Sequence, residues 1–292
     1  MFKLTSTFIV ISLLVIQYSF GQGTKPNRPA GASPLLLGIV DSVKSGILNE
    51  TRLVNIYLPE GYSPDSASTY PVIYLLDGGA DEDFIHIAGL VRYNTTPWIN
   101  RFPKSIVVGI ENVNRQRDFT FAVPNLDFLS RTGFTKNQFS AYGGSEKFIS
   151  FIEKELQPFV EKRYAANSSK TIIGESLGGL LATEILLKKP DLFTTYIILS
   201  PSLWWGKESL LTNAPGLLKS NGRKKLTVYV GACERANSVI MYNDAKALAD
   251  TLKKHNAGTM RVVFDYLPDE THATINHQGV YNAFKLLYPI KK

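Results

Sequence analysis

The chain of 292 residues is poor in cysteine, in histidine and in long apolar runs. A single cysteine, Cys233, excludes an intramolecular disulfide framework and a cysteine-built metal site. The four histidines, His86, His255, His272 and His277, leave few candidates for a catalytic base. Beyond the first twenty residues no stretch is apolar enough to cross a bilayer. A large excess of one charge is missing too. Thirty-two Lys and Arg stand against 25 Asp and Glu, for a formal net charge of +7. That favours anions loosely and does not mark a nucleic-acid binder. With 44% hydrophobic and 20% charged residues, the composition excludes a disordered chain and a multi-span membrane protein.

The N-terminus reads as a targeting segment. Lys3 supplies a positive start, Phe8–Ile16 is a short apolar run, and Ser19-Phe20-Gly21 offers small residues at the two positions a signal peptidase reads. The expectation is a secretory signal over 1–21, cleaved before Gln22, and a periplasmic or extracellular product with no stable membrane insertion. Residues 22–34 are rich in Gly and Pro and are expected to be an irregular lead-in. One domain is expected over 35–292.

Within that domain, strand-like and helix-like segments alternate, the pattern of an α/β fold. Strands are expected at 36–43, 52–58, 71–76, 105–110, 171–173, 194–199, 226–230 and 261–266. The first two alternate in polarity and suit an antiparallel edge. The others are short, apolar and β-branched, as in a parallel sheet covered on both faces. Helices are expected at 146–162, 177–188, 242–255 and 275–287. Residues 111–142 form a long connection without clear periodicity, and such connections are often functional.

The chemistry concentrates at TIIGESLGG, 171–179. Gly174-Glu175-Ser176-Leu177-Gly178 matches G-x-S-x-G, between a β-branched run and a helical one. A serine on such a turn is held in a strained backbone with its hydroxyl above the sheet edge. The glycines are needed where a Cβ would strike the neighbouring strand or helix. A serine hydroxyl needs a base close by. In the chain order Ser, acid, His, the base follows the last core strand, which selects His272. The acid should follow the preceding strand. Glu234 is the first carboxylate there; Asp244, inside a helical pattern, is its main rival, with Asp265 and Asp269 behind. The oxyanion needs two N–H donors. Leu177 follows the nucleophile and supplies one. Gly79, in the turn Leu76-Asp77-Gly78-Gly79, is the candidate for the other.

The blocks YPVIYLLDGG (70–79), IVVGIENVNRQRDFT (106–120), KFISFIEKELQPFVEKRY (147–164), IIGESLGGLLATEILLKKPDLF (172–193) and SPSLWW (200–205) resemble the putative-esterase family of α/β-hydrolases. The resemblance is nearest to esterases of the siderophore, enterobactin-type kind, and covers roughly residues 35–290. It implies a mostly parallel central sheet with helices on both faces. It also implies a Ser-His-acid ester hydrolase with no cofactor, its nucleophile, acid and base matching Ser176, Glu234 and His272. An acyltransferase on the same scaffold, or a binding protein that keeps the fold, are the alternatives.

For the substrate, a small-molecule ester, four residues stand out. Trp204 and Trp205 follow the strand after the elbow helix and serve either as an aromatic wall or as core. Arg115 and Arg117 lie in the long connection and either grip an anionic or catecholate substrate or brace the loop through Asp118. No His, Asp and Glu cluster shows metal-ligand spacing. Oligomeric state leaves no sign in the sequence.

Overall fold

Period-two alternation decides which side chains go to which side of the sheet. In β6 (Thr195–Leu199), Tyr196 and Ile198 enter the larger core cluster, while Ile197 and Leu199 enter the one on the other face. Ile172 and Ile173 part in the same way in β5 (Ala166–Glu175). Every residue of β6 is buried, which accounts for its unbroken apolar run.

The structure is a computed structural model and describes residues 31–33, 35–64, 68–221, 225–255 and 258–290. The expected signal segment 1–21 lies outside the described residues, as does most of the lead-in. Residues 36–292 form one compact unit.

Among the described residues an eight-stranded sheet runs in the order β1-β2-β4-β3-β5-β6-β7-β8. The strands not yet named are β1 (Ile39–Ser45), β2 (Glu50–Tyr57), β3 (Tyr70–Leu75), β4 (Ile106–Ile110), β7 (Thr227–Ala232) and β8 (Arg261–Tyr266). β1 pairs antiparallel with β2, and β2 antiparallel with β4; from β4 to β8 all pairings are parallel. The fold is therefore the mostly parallel α/β sheet expected, with its antiparallel edge at the first two strands.

The helices are α1 (Phe84–Asn94), α2 (Arg115–Phe119), α3 (Ser145–Phe151), α4 (Gln157–Arg163), α5 (Leu177–Lys188), α6 (Ser209–Ser220), α7 (Val239–His255) and α8 (Ile275–Leu287). The smaller cluster is built from α1 and α8, through Ile87, Val91, Val280 and Phe284. The larger holds α3 to α7. α5 is buried on all sides from Leu177 to Leu187, as a helix apolar all round must be.

α1 stands where no helix is expected, and three further features differ from the sequence expectation. The helix expected over 146–162 is broken by a π-turn at Ile152–Leu156, which α4 follows with Pro158 in its first turn. α6 carries Pro215 and Gly216 inside it, breakers that hide its helical period. The connection 111–142 is not structureless: it holds α2 and the 3-10 turns Asp127–Arg131 and Lys136–Phe139.

Candidate active site

The site sits at the carboxyl ends of β3, β5 and β6, beside the loop that follows β8. The helix leaving β3 packs on one face of the sheet and the helix leaving β5 on the other. A crevice opens at such a divide.

Ser176 ends β5 and starts α5, with φ 56° and ψ −118°. This is backbone that a side-chain-bearing residue adopts at a cost of about 1–3 kcal/mol. Its surroundings hold it there. Its N–H donates to the Leu199 carbonyl at 3.0 Å, and its own carbonyl accepts from Ser202 and Leu180 N–H, each at 2.9 Å. The glycines are required by space. A Cβ on Gly174 would overlap the carbonyl of Gly178, and one on Gly179 would lie 2.9 Å from the Leu199 oxygen.

His272 Nε2 lies 3.0 Å from Ser176 Oγ. Ninety-six positions separate the two residues, and the sheet brings them together. The order of strands puts β8 two places beyond β6, so the loop after β8 reaches back over the end of β5. Burial lowers the imidazole pKa, and the Arg115 guanidinium lowers it further. The ring is thereby kept neutral and able to accept a proton near pH 7.

Glu234 does not orient that ring. Its two carboxylate oxygens accept from the Asn237 N–H at 3.0 and 3.3 Å, closing its own turn. His272 Nδ1 is buried and has no hydrogen-bond partner. The contact to an acid comes from the other side, where Glu175 Oε1 is 3.3 Å from His272 Nε2. Burial pushes the Glu175 carboxyl well above the usual range; Arg115 opposes this, while Asp77 and Asp83 add to it. Asp244 and Asp265 also lie elsewhere. Asp244 is half-buried, with one oxygen unpartnered and its pKa raised to about 7 by desolvation and the nearby Glu208. Asp265 accepts from the Tyr229 hydroxyl at 2.7 Å.

The two amides expected for an oxyanion fare differently. Leu177 opens α5, so its N–H has no helical acceptor, and the residue lines a cavity together with Ser176. Gly79 is a correction. Its N–H donates to Glu82 Oε2 at 2.7 Å and is occupied. A residue the sequence did not single out stands nearer: Ser202 Oγ is 3.3 Å from Ser176 Oγ and lines the same cavity. Its signal was its place in the SPSLWW block.

Trp204 and Trp205 divide between the two roles open to them. Trp204 lines the cavity beside Ser176 and stacks on Phe134 at 5.3 Å. Trp205 is fully buried and donates its indole N–H to the Phe121 carbonyl at 2.9 Å, so it is core. The arginines divide as well. Arg115 borders the Ser176 cavity, but its fork is held by Asp77 through bonds of 2.6 and 2.8 Å. Arg117 binds Glu50 and Asp118 at 2.8 and 2.7 Å and braces the connection instead of facing the cavity. Among the described residues no group of three or more His, Cys, Asp or Glu side chains could hold a metal ion.

The family model described as "Putative esterase" matches residues 45–279. The ferri-bacillibactin esterase BesA of Bacillus subtilis is 30% identical over 238 residues, covering 78% of this chain and 82% of that protein. An IroE-like serine hydrolase from Shewanella oneidensis superposes with a TM-score of 0.79 at 32% identity, over 86% of this chain and 80% of that one. The BES protein from Bacillus cereus gives 0.75 at 26% identity, over 90% and 100%. With most of its length matched by that model and by a named esterase, the chain belongs to the putative esterase family and is a carboxylic ester hydrolase on the α/β-hydrolase fold.

Proposed function

We propose that the protein is a secreted serine esterase that works through an acyl-enzyme on Ser176, with His272 as its base. The observation that carries this reading is the 3.0 Å approach of His272 Nε2 to a serine hydroxyl on a positive-φ elbow. His272 takes the hydroxyl proton as Ser176 Oγ attacks the ester carbonyl carbon. The tetrahedral oxyanion is held by the Leu177 N–H, at the positive end of α5, with the Ser202 hydroxyl beside it. His272 then gives its proton to the departing alkoxide, and the acyl group stays on Ser176. Water, deprotonated by the same imidazole, releases the acid and restores the serine. Orientation of the ring rests on burial and not on a carboxylate at Nδ1.

The natural substrate in this reading is a siderophore ester of the kind BesA is named for, with acyl esters of carbohydrates the next class to examine. Trp204 supports it as an aromatic wall beside Ser176. A signal segment over 1–21 would carry the enzyme out of the cytoplasm. The test has two parts. A fluorophosphonate should label the wild type and fail to label Ser176→Ala. p-Nitrophenyl acetate should be turned over by the wild type only. Labelling of Ser176→Ala equal to wild type would overturn the assignment.

A further inference from the structure

Two cavities open beside the Ser176–His272 pair, and each is lined by one member of it. The first, about 270 Å³, has Ser176, Leu177 and Ser202 on its wall, with the amide side chains of Gln116 and Gln138 opposite. The second, about 390 Å³, has His272 on its wall, facing Val239, Ile240 and Met241 from the start of α7. Phe134 and Trp204 line both. Their rings stack 5.3 Å apart at an interplanar angle of 24° and belong to the walls of both spaces.

Ester hydrolysis makes the two sides of the scissile bond unequal. The carbonyl oxygen has to reach the Leu177 N–H, and the carbonyl carbon has to reach Ser176 Oγ. The leaving oxygen has to reach the protonated imidazole, because that group gives it its proton. The acyl chain therefore extends away from His272, and the alcohol extends towards it. We propose that the Ser176 cavity receives the acyl group and the His272 cavity receives the leaving alcohol, and that the latter selects bulky apolar or aromatic alcohols. The assignment rests on the Ser–His reading above. Beyond the shared Phe134 and Trp204, the His272 side adds the apolar Val239, Ile240 and Met241 next to Thr132, Asn237 and Ser238, while the Ser176 side adds Phe139 and the hydroxyl and amide groups of Ser202, Gln116 and Gln138. Arg131, at the edge of the His272 side, is paired with Glu208 at 3.3 Å and is not a free cation.

An acyl-enzyme no longer contains the alcohol, and this makes the assignment testable. All acetate esters pass through the same acetyl-enzyme. Val239 opens α7 and is 46% exposed, so a larger side chain there projects into the His272 cavity with little cost to the core. In Val239→Trp, kcat/KM for 2-naphthyl acetate should fall roughly tenfold or more against ethyl acetate. Breakdown of the acetyl-enzyme, read in single turnover, should keep its wild-type rate. Val239→Ala should move the same ratio in the opposite direction, which covers a failure of the tryptophan variant to fold. Gln116→Trp should instead discriminate between p-nitrophenyl hexanoate and acetate, and should alter acyl-enzyme breakdown. If the Val239 variants change acyl-chain preference or acetyl-enzyme breakdown and leave alcohol preference alone, the assignment of sides is overturned while the esterase reading stands. If no ester forms an acyl-enzyme with the wild type, both fall.

Discussion

Ser176 and His272 carry the proposed mechanism, and Glu175 stands 3.3 Å from the same imidazole nitrogen. Replacing Ser176 with alanine should lower kcat on the order of 10⁶-fold, as for other serine hydrolases whose nucleophile and base act as a unit. His272→Ala should cost a comparable factor, and the double variant little more, read from kcat on p-nitrophenyl acetate. The pH profile follows from the imidazole. Its pKa is lowered by burial and by Arg115, so kcat/KM should rise through a midpoint below 6.5 and stay level to neutral pH and beyond. Glu175 adds a stability signature. A carboxyl whose folded pKa is raised binds more protons in the native than in the unfolded state over that interval, so stability falls as pH rises from the unfolded value through the folded one. Glu175→Gln keeps the shape and removes that loss. Its melting temperature should exceed that of the wild type at pH 8 and show no such gain at pH 4. An equal offset at both pH values would contradict the assigned protonation.

At the scale of elements, the long connection after β4 is held by charge. Arg52, fully buried in β2, pairs with Asp118 at 2.5 Å and with Glu50, and its guanidinium lies 5.2 Å from the centre of the Phe148 ring. Asp118 also takes Arg117. Asp118→Ala leaves the buried Arg52 and its neighbour Arg117 to share Glu50 alone, and should cost up to about 3–5 kcal/mol in denaturant unfolding. Arg117→Ala should lower stability and leave KM for esters within about twofold, since that side chain does not face the cavity. Trp204→Ala should raise KM, whereas Trp205→Phe should act on stability through the lost bond to the Phe121 carbonyl. These contrasts explain what was legible in the sequence. The strands β3 to β7 showed as apolar β-branched runs because they are buried on both faces. α5 showed because its start is marked by the glycine elbow. α6 was hidden by its own Pro215 and Gly216. Which tryptophan met the cavity depended on how Phe128 and Phe139, from the 3-10 turns at 127–131 and 136–139, packed on the pair, and no local period reports that.

At the scale of the molecule, the sheet order is what makes a site. The G-x-S-x-G motif is local, and the positive-φ turn it forms was readable at once. The His272 partner was readable from chain order, because a base after the last strand returns to the β5 end in this topology. The acid was not. Glu234 stands where chain order puts it, yet its carboxylate closes a turn on Asn237, and only packing decides that. Gly79 fails for a similar reason, since Glu82 three residues on takes its amide. The rate should therefore be insensitive to Glu234: Glu234→Gln should retain kcat within about threefold, where a triad acid would cost far more. The most direct measurement is rapid-quench mass spectrometry of the protein mixed with p-nitrophenyl acetate, followed by peptide mapping. One acetyl group on the peptide carrying Ser176, formed in the wild type and missing in His272→Ala on the same timescale, is the predicted result. Turnover with the acetyl group on another residue, or undiminished turnover by Ser176→Ala, would contradict it.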